Sequence, residues 1–100
     1  MVARVAPVTA PDEARGIMET HMENFRAMVS VTMQILSDAK ASAEGSGDGS
    51  AKVCLLDANR AWDQGRYQDC RRWALRSLSY SEGVFSERYR KAQRLDDTCE

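Results

Sequence analysis

Between Asn59 and Leu78 the chain reads Asn-Arg-Ala-Trp-Asp-Gln-Gly65-Arg-Tyr67-Gln-Asp-Cys70-Arg-Arg-Trp73-Ala74-Leu-Arg-Ser77-Leu, and this stretch constrains the fold more than any other. A glycine, an aromatic and a row of small residues fall where two antiparallel helices need them. Gly65 can take the left-handed conformation that closes one helix, and Tyr67 can wedge the corner. Cys70, Ala74 and Ser77 are small enough to let a second helix approach closely. The pattern predicts a helical hairpin with its third-helix segment over about 67–81, burying Tyr67, Cys70, Trp73, Ala74 and Leu78.

The other elements follow from caps, breakers and periodicity. Residues 1–10 read as an extended tail. Thr9-Ala-Pro11-Asp12-Glu13 then offers a capping side chain, an early proline and first-turn acids, the signature of a helix start. Met18, Met22, Phe25, Val29, Thr32, Leu36, Ala39 and Ala43 alternate in steps of four and three, with Met28, Met33 and Ile35 widening the stripe, so a long first helix is expected over about 11–43. That stripe serves either as core along the rest of the domain or as the seam of a homodimer. Its methionines could also adapt to partner helices, although core filling is the simpler use.

Residues 44–50, Glu-Gly-Ser-Gly-Asp-Gly-Ser, read as a flexible reversing loop. Ser50 is the expected cap of a second helix, whose apolar side is Val53, Cys54, Leu56, Ala58, Ala61 and Trp62. Ser81-Glu82-Gly83 is expected to break the third helix before a short fourth one carrying Val84, Phe85, Tyr89, Ala92 and Leu95. Residues 97–100 are expected to fray. The fold class is therefore all-α: one domain over 11–96, a small four-helix unit with a long first helix packed on the hairpin.

With these residues in view, the hairpin resembles a single tetratricopeptide repeat over residues of about 55–80. Ala61, Trp62, Gly65 and Tyr67 match its inter-helix turn, Cys70 stands where alanine is usual, and Trp73 falls at or beside a bulky aromatic position. Ser77-Leu78 matches its small-then-leucine step. Arg66 departs from the usual capping residue, no proline follows Leu78, and no second copy occurs. The Tyr67, Cys70, Trp73 spacing is also similar to the microtubule-interacting-and-transport type of three-helix bundle. Both resemblances imply peptide or protein binding and neither implies catalysis. Helical hairpins of the WXG type require Trp-x-Gly at the turn, and Trp62-Asp-Gln-Gly65 has the wrong spacing.

Composition narrows the function. Hydrophobic residues at 43% and charged residues at 29% belong to an ordinary globular chain, and no segment approaches the roughly 20 apolar residues of a membrane span. The N-terminal segment lacks the apolar run of a signal peptide, so a cytoplasmic location is expected. Cys54 and Cys70 would differ in height by about 9 Å across the hairpin, beyond disulfide reach, and are expected as buried thiols, with Cys99 free on the tail.

The single histidine, His21, stands between Glu19 and Glu23. Residues two apart on a helix do not face one another, and a metal needs at least three converging ligands. No cysteine has a base placed to activate it. The carboxylates Asp96-Asp97, and Asp57 with Asp63, read as surface groups. No cofactor, metal or enzymatic activity is expected.

Charge is unevenly spread. Residues 1–50 carry a net charge of −3 and residues 51–100 of +2, with eight basic side chains between Arg66 and Arg94 against Asp69, Glu82 and Glu87. Arg71, Arg72 and Arg76 cluster on the third helix, and Arg88, Arg90, Lys91 and Arg94 on the fourth. The expected function is a small adaptor, chaperone-like or inhibitory protein that captures a helical or acidic segment of another protein. Arg72, Arg76, Tyr80, Tyr89 and Arg90 are its candidate binding residues on a shared face of helices three and four. The alternatives are a regulator that meets nucleic acid through the same arginines, against which the isoelectric point of about 5.8 weighs, and a homodimer formed through the first helix.

Overall fold

Gly65 has φ 74°, and the turn it makes carries both hydrogen bonds of a Schellman closure. The Arg66 amide donates to the Ala61 carbonyl at 2.9 Å and the Gly65 amide to the Trp62 carbonyl at 3.0 Å. The hairpin is therefore present, in a computed structural model that describes residues 11–99. The expected tail over 1–10, its Thr9 cap and the terminal Glu100 lie outside those residues. Four helices follow one another: α1 (Pro11–Ser46), α2 (Gly49–Asp63), α3 (Tyr67–Ser81) and α4 (Glu87–Asp97). The fold is all-α, with no strand among the described residues.

The three connections are short, and each contains a glycine at positive φ: Gly47, Gly65 and Gly83. The expected loop over 44–50 shrinks to Gly47 and Asp48, because Glu44, Gly45 and Ser46 continue α1. The last turn is held by the buried Ser42 and Ala43 and by the Ser46 hydroxyl, which donates to the Ala43 carbonyl at 3.3 Å. Asp48, not Ser50, caps α2, accepting from the Ala51 amide at 2.9 Å. Ser86 caps α4 by accepting from the Tyr89 amide at 3.1 Å.

α1 and α3 each pack against the other three helices, whereas α2 and α4 do not touch and lie on separate flanks of that pair. The core is built from small residues. Alanines 39, 43, 51, 58, 61, 74 and 92 are buried with Cys54 and Cys70, and Ile35 and Leu78 are the largest fully buried side chains. Small side chains let helix axes approach closely. Trp62 and Trp73 are half-buried against this core, whereas Val53 and Leu56, expected on the apolar side of α2, are exposed.

Two polar networks tie the helices together. Arg71, expected in the exposed cluster, is only 4% exposed. Its Nε donates to Asp96 Oδ1 at 2.7 Å and its Nη1 to Thr32 Oγ1 at 2.7 Å, joining α3 to α4 and α1. The Thr32 hydroxyl in turn donates to the Met28 carbonyl at 2.7 Å. Asp96 is thus an anchor rather than a surface carboxylate, and the helix it holds runs to Asp97 where fraying was expected. At the other end Ser42 Oγ donates to Glu82 Oε2 at 2.6 Å, and Glu82 pairs with Arg88 at 3.4 Å.

The long stripe of α1 divides in two. Thr32, Ile35, Ala39, Ser42 and Ala43 are buried, but every residue from Arg15 to Ala27 is exposed. Met18, Met22 and Met33 therefore do not fill the core. Met33 lies in the packed half and faces outward between the buried Thr32 and Ile35. For Met18 and Met22 the reason is length: α1 has 36 residues, about 54 Å at 1.5 Å per residue, while α2 and α3 have 15 each, about 22 Å.

Candidate functional site

The two arginines and one tyrosine proposed on α3 follow helical spacing: Arg72, Arg76 and Tyr80 recur every four residues along a solvent-facing side, and all three are exposed. Trp73 stands beside them because Cys70, Ala74 and Ser77 take the inward positions and leave the indole half-covered at the α2 border. The Arg76 guanidinium lies over the Trp73 ring at 4.9 Å from its centroid, a cation–π arrangement that keeps the charge in solvent while its stem covers the ring.

Arg76, Trp73 and Tyr80 form one wall of a groove of about 510 Å³ whose other wall is the start of α2, with Val53 and Ser50. Cys54 lies at its base. Burial pushes the Cys54 thiol above its ordinary range, and the positive charge of Arg76 pulls it part of the way back. Ser77 fixes the two walls together, its buried hydroxyl donating to the Ala51 carbonyl at 2.8 Å. The groove is thus an aromatic and apolar trough with a cation at its rim.

The remaining candidates lie elsewhere. Tyr89 turns inward and packs, half-buried, against the core beside Ala92. Arg90 is exposed, its guanidinium 5.9 Å from the Phe85 ring. Arg76 and Tyr80 share their groove with α2, on the flank away from α4, so α3 and α4 do not supply one continuous face for the five side chains. Val53, expected on the apolar side of α2, is exposed and lines the groove, and Trp73, half-buried against the core as expected, turns its open side to the same groove. Their signal was available: Ser50, Val53 and Cys54 share a side of α2, as Trp73, Arg76 and Tyr80 do of α3.

Ion pairing separates the basic residues into two sets. Arg66 pairs with Asp69 at 2.6 Å, Arg71 with Asp96, Arg88 with Glu82 and Arg94 with Glu87 at 3.4 Å. Arg72, Arg76, Arg90 and Lys91 have no carboxylate partner among the described residues.

A second feature lies at the base of the free half of α1. Phe25 meets Tyr67 edge-on at 6.0 Å, and Tyr67 meets Trp62 edge-on at 5.3 Å, so the corner wedge reaches both α1 and α2. Crevices on this side are lined by Met28, Val31 and Cys99 and by Phe25, Tyr67 and Gln68.

All three cysteines are free thiols, with Cys54 and Cys70 buried and Cys99 partly covered. Among the described residues no group of three His, Cys, Asp or Glu side chains converges to hold a metal, and no helix is long and apolar enough to cross a membrane. The chain matches no family model, no curated protein and no solved structure to a significant degree.

Proposed function

We propose that this chain is a non-enzymatic protein-interaction module that captures a partner segment bearing apolar and acidic side chains in the groove between α2 and α3. The observation that carries this reading is Arg76, held over Trp73 with no carboxylate partner among the described residues and flanked by exposed Val53 and Tyr80. A guanidinium already stacked on an aromatic loses little freedom when it meets a carboxylate, and aromatic–arginine pairs are the residue types on which interface energy concentrates. Arg72, one turn before Arg76, extends the cationic rim. The tetratricopeptide resemblance of the same hairpin points to the same class of ligand. Three free thiols suit a reducing compartment, and the proposal places the module in the cytoplasm.

A nucleic-acid ligand is supported less well, because four of the eight basic residues between Arg66 and Arg94 are matched to carboxylates. The test is affinity capture from native extract with wild type and the Arg72→Glu/Arg76→Glu variant, with and without nuclease. A protein retained by wild type, lost by the variant and indifferent to nuclease supports the reading. Material released by nuclease moves the nucleic-acid alternative ahead, and equal recovery by both proteins removes the groove.

A further inference from the structure

Among the described residues little covers the N-terminal half of α1: Phe25, at its base, meets Tyr67 edge-on, and the turns before it extend past the other helices. Over residues 15–27 no side chain is buried, yet Met18, Met22 and Phe25 are apolar, 64%, 50% and 54% exposed, and continue through Val29 in the +4, +3, +4 steps of a heptad. A helical segment of this length is marginal in water without a partner. With Met18 and Phe25 at d and Met22 and Val29 at a, the flanking e positions are Glu19 and Arg26 and the flanking g positions are Ala14, His21 and Met28. Glu19 and Arg26 have no ion-pair partner among the described residues.

These charges select an occupant and an orientation. In an antiparallel pairing e positions face e positions. With Met22 opposite Phe25 of a second copy, and Met18 opposite its Val29, Glu19 faces Arg26 of that copy, and symmetry repeats the pair. A parallel pairing brings g against e instead, setting His21 against Arg26 and Ala14 against Glu19, with no attraction. We infer that the N-terminal half of α1 is the interface of an antiparallel homodimer, with the apolar side chains of two copies interleaved and two reciprocal Glu19–Arg26 pairs at its edges. The contact is about 22 Å long, an interface of the small, reversible class. The groove between α2 and α3 stays open in such a dimer, so this inference does not depend on the proposed partner binding.

The test is sedimentation velocity of the full chain from micromolar to millimolar concentration, with charge variants. The mass should rise with concentration from 11.2 kDa towards twice that value. Met22→Glu, at an exposed position, should leave the helical signal intact and abolish the rise. Glu19→Arg alone and Arg26→Glu alone should each weaken association about tenfold, and the double reversal Glu19→Arg/Arg26→Glu should restore it. A wild type that stays monomeric throughout overturns the inference. So does a dimer indifferent to the single reversals, or one weakened by them and not rescued by the double. Arg72→Glu/Arg76→Glu serves as the control that leaves association unchanged.

Discussion

A buried arginine with one carboxylate partner makes a sharply asymmetric interaction. Asp96→Ala would leave the Arg71 charge inside the bundle with only Thr32 to meet it, and should cost about 3 kcal/mol in urea denaturation, the low end for broken buried pairs because Asp96 keeps some solvent contact. Replacing both partners, as in Arg71→Met/Asp96→Leu, should recover most of that loss. Arg71 was legible in principle, since Arg71, Ala74 and Leu78 follow core spacing. A charge is ordinarily assigned to the surface, however, and the carboxylate that makes its burial tolerable comes from another helix 25 residues on. Cys70 was legible directly because a small apolar side chain carries no such conflict. Burial raises its thiol from an ordinary 9.0 to about 11, against the opposing pull of Arg71. The fold therefore favours the protonated form, and this contribution is full below pH 9 and lost as the pH rises towards 11. Wild type should lose stability across that window more steeply than Cys70→Ala, as followed by denaturant midpoints.

Among the elements, α3 agrees with its expected limits because a positive-φ glycine stands just beyond each end. Gly65→Ala meets no neighbour within 4 Å, so its cost is that of the left-handed backbone alone, about 1–2 kcal/mol, and Gly65→Asn should cost less. Thermal melts of the two variants would separate them. The end of α1 was harder to read. A glycine inside a helix costs only about 1 kcal/mol, and the buried contacts of Ser42 and Ala43 outweigh that at Gly45. Periodicity also has no means of saying where along one helix its covering neighbours stop, so the stripe from Met18 to Ala43 read as uniform. Hydrogen exchange should expose the division: amides over 15–27 should exchange faster than those over 31–43, and their protection should rise with protein concentration if two copies pair there.

At the scale of the whole molecule the order of four helices was legible and their mutual placement was not. Which flank each candidate side chain occupies depends on α2 and α4 standing on separate sides of the α1–α3 pair, a property of packing that no local pattern encodes. Tyr89 illustrates the difficulty, since it shares the side of α4 that buries Ala92 and so leaves the expected binding face.

The alanine-rich interior has a consequence for how the chain tolerates change. Most globular cores are damaged by truncation, which leaves holes. Here seven of the eleven buried apolar residues are already alanine, so little remains to be truncated, and harm should come from enlargement. Where Ala58, Ala61 and Ala74 let α2 and α3 approach, one extra methyl group must push whole helices apart, at about 1–3 kcal/mol each. A saturation library selected for folding should therefore tolerate only glycine or serine at these sites, while accepting nearly anything at Met18 or Met22. The history of such a chain would show as small residues frozen in its interior by packing alone.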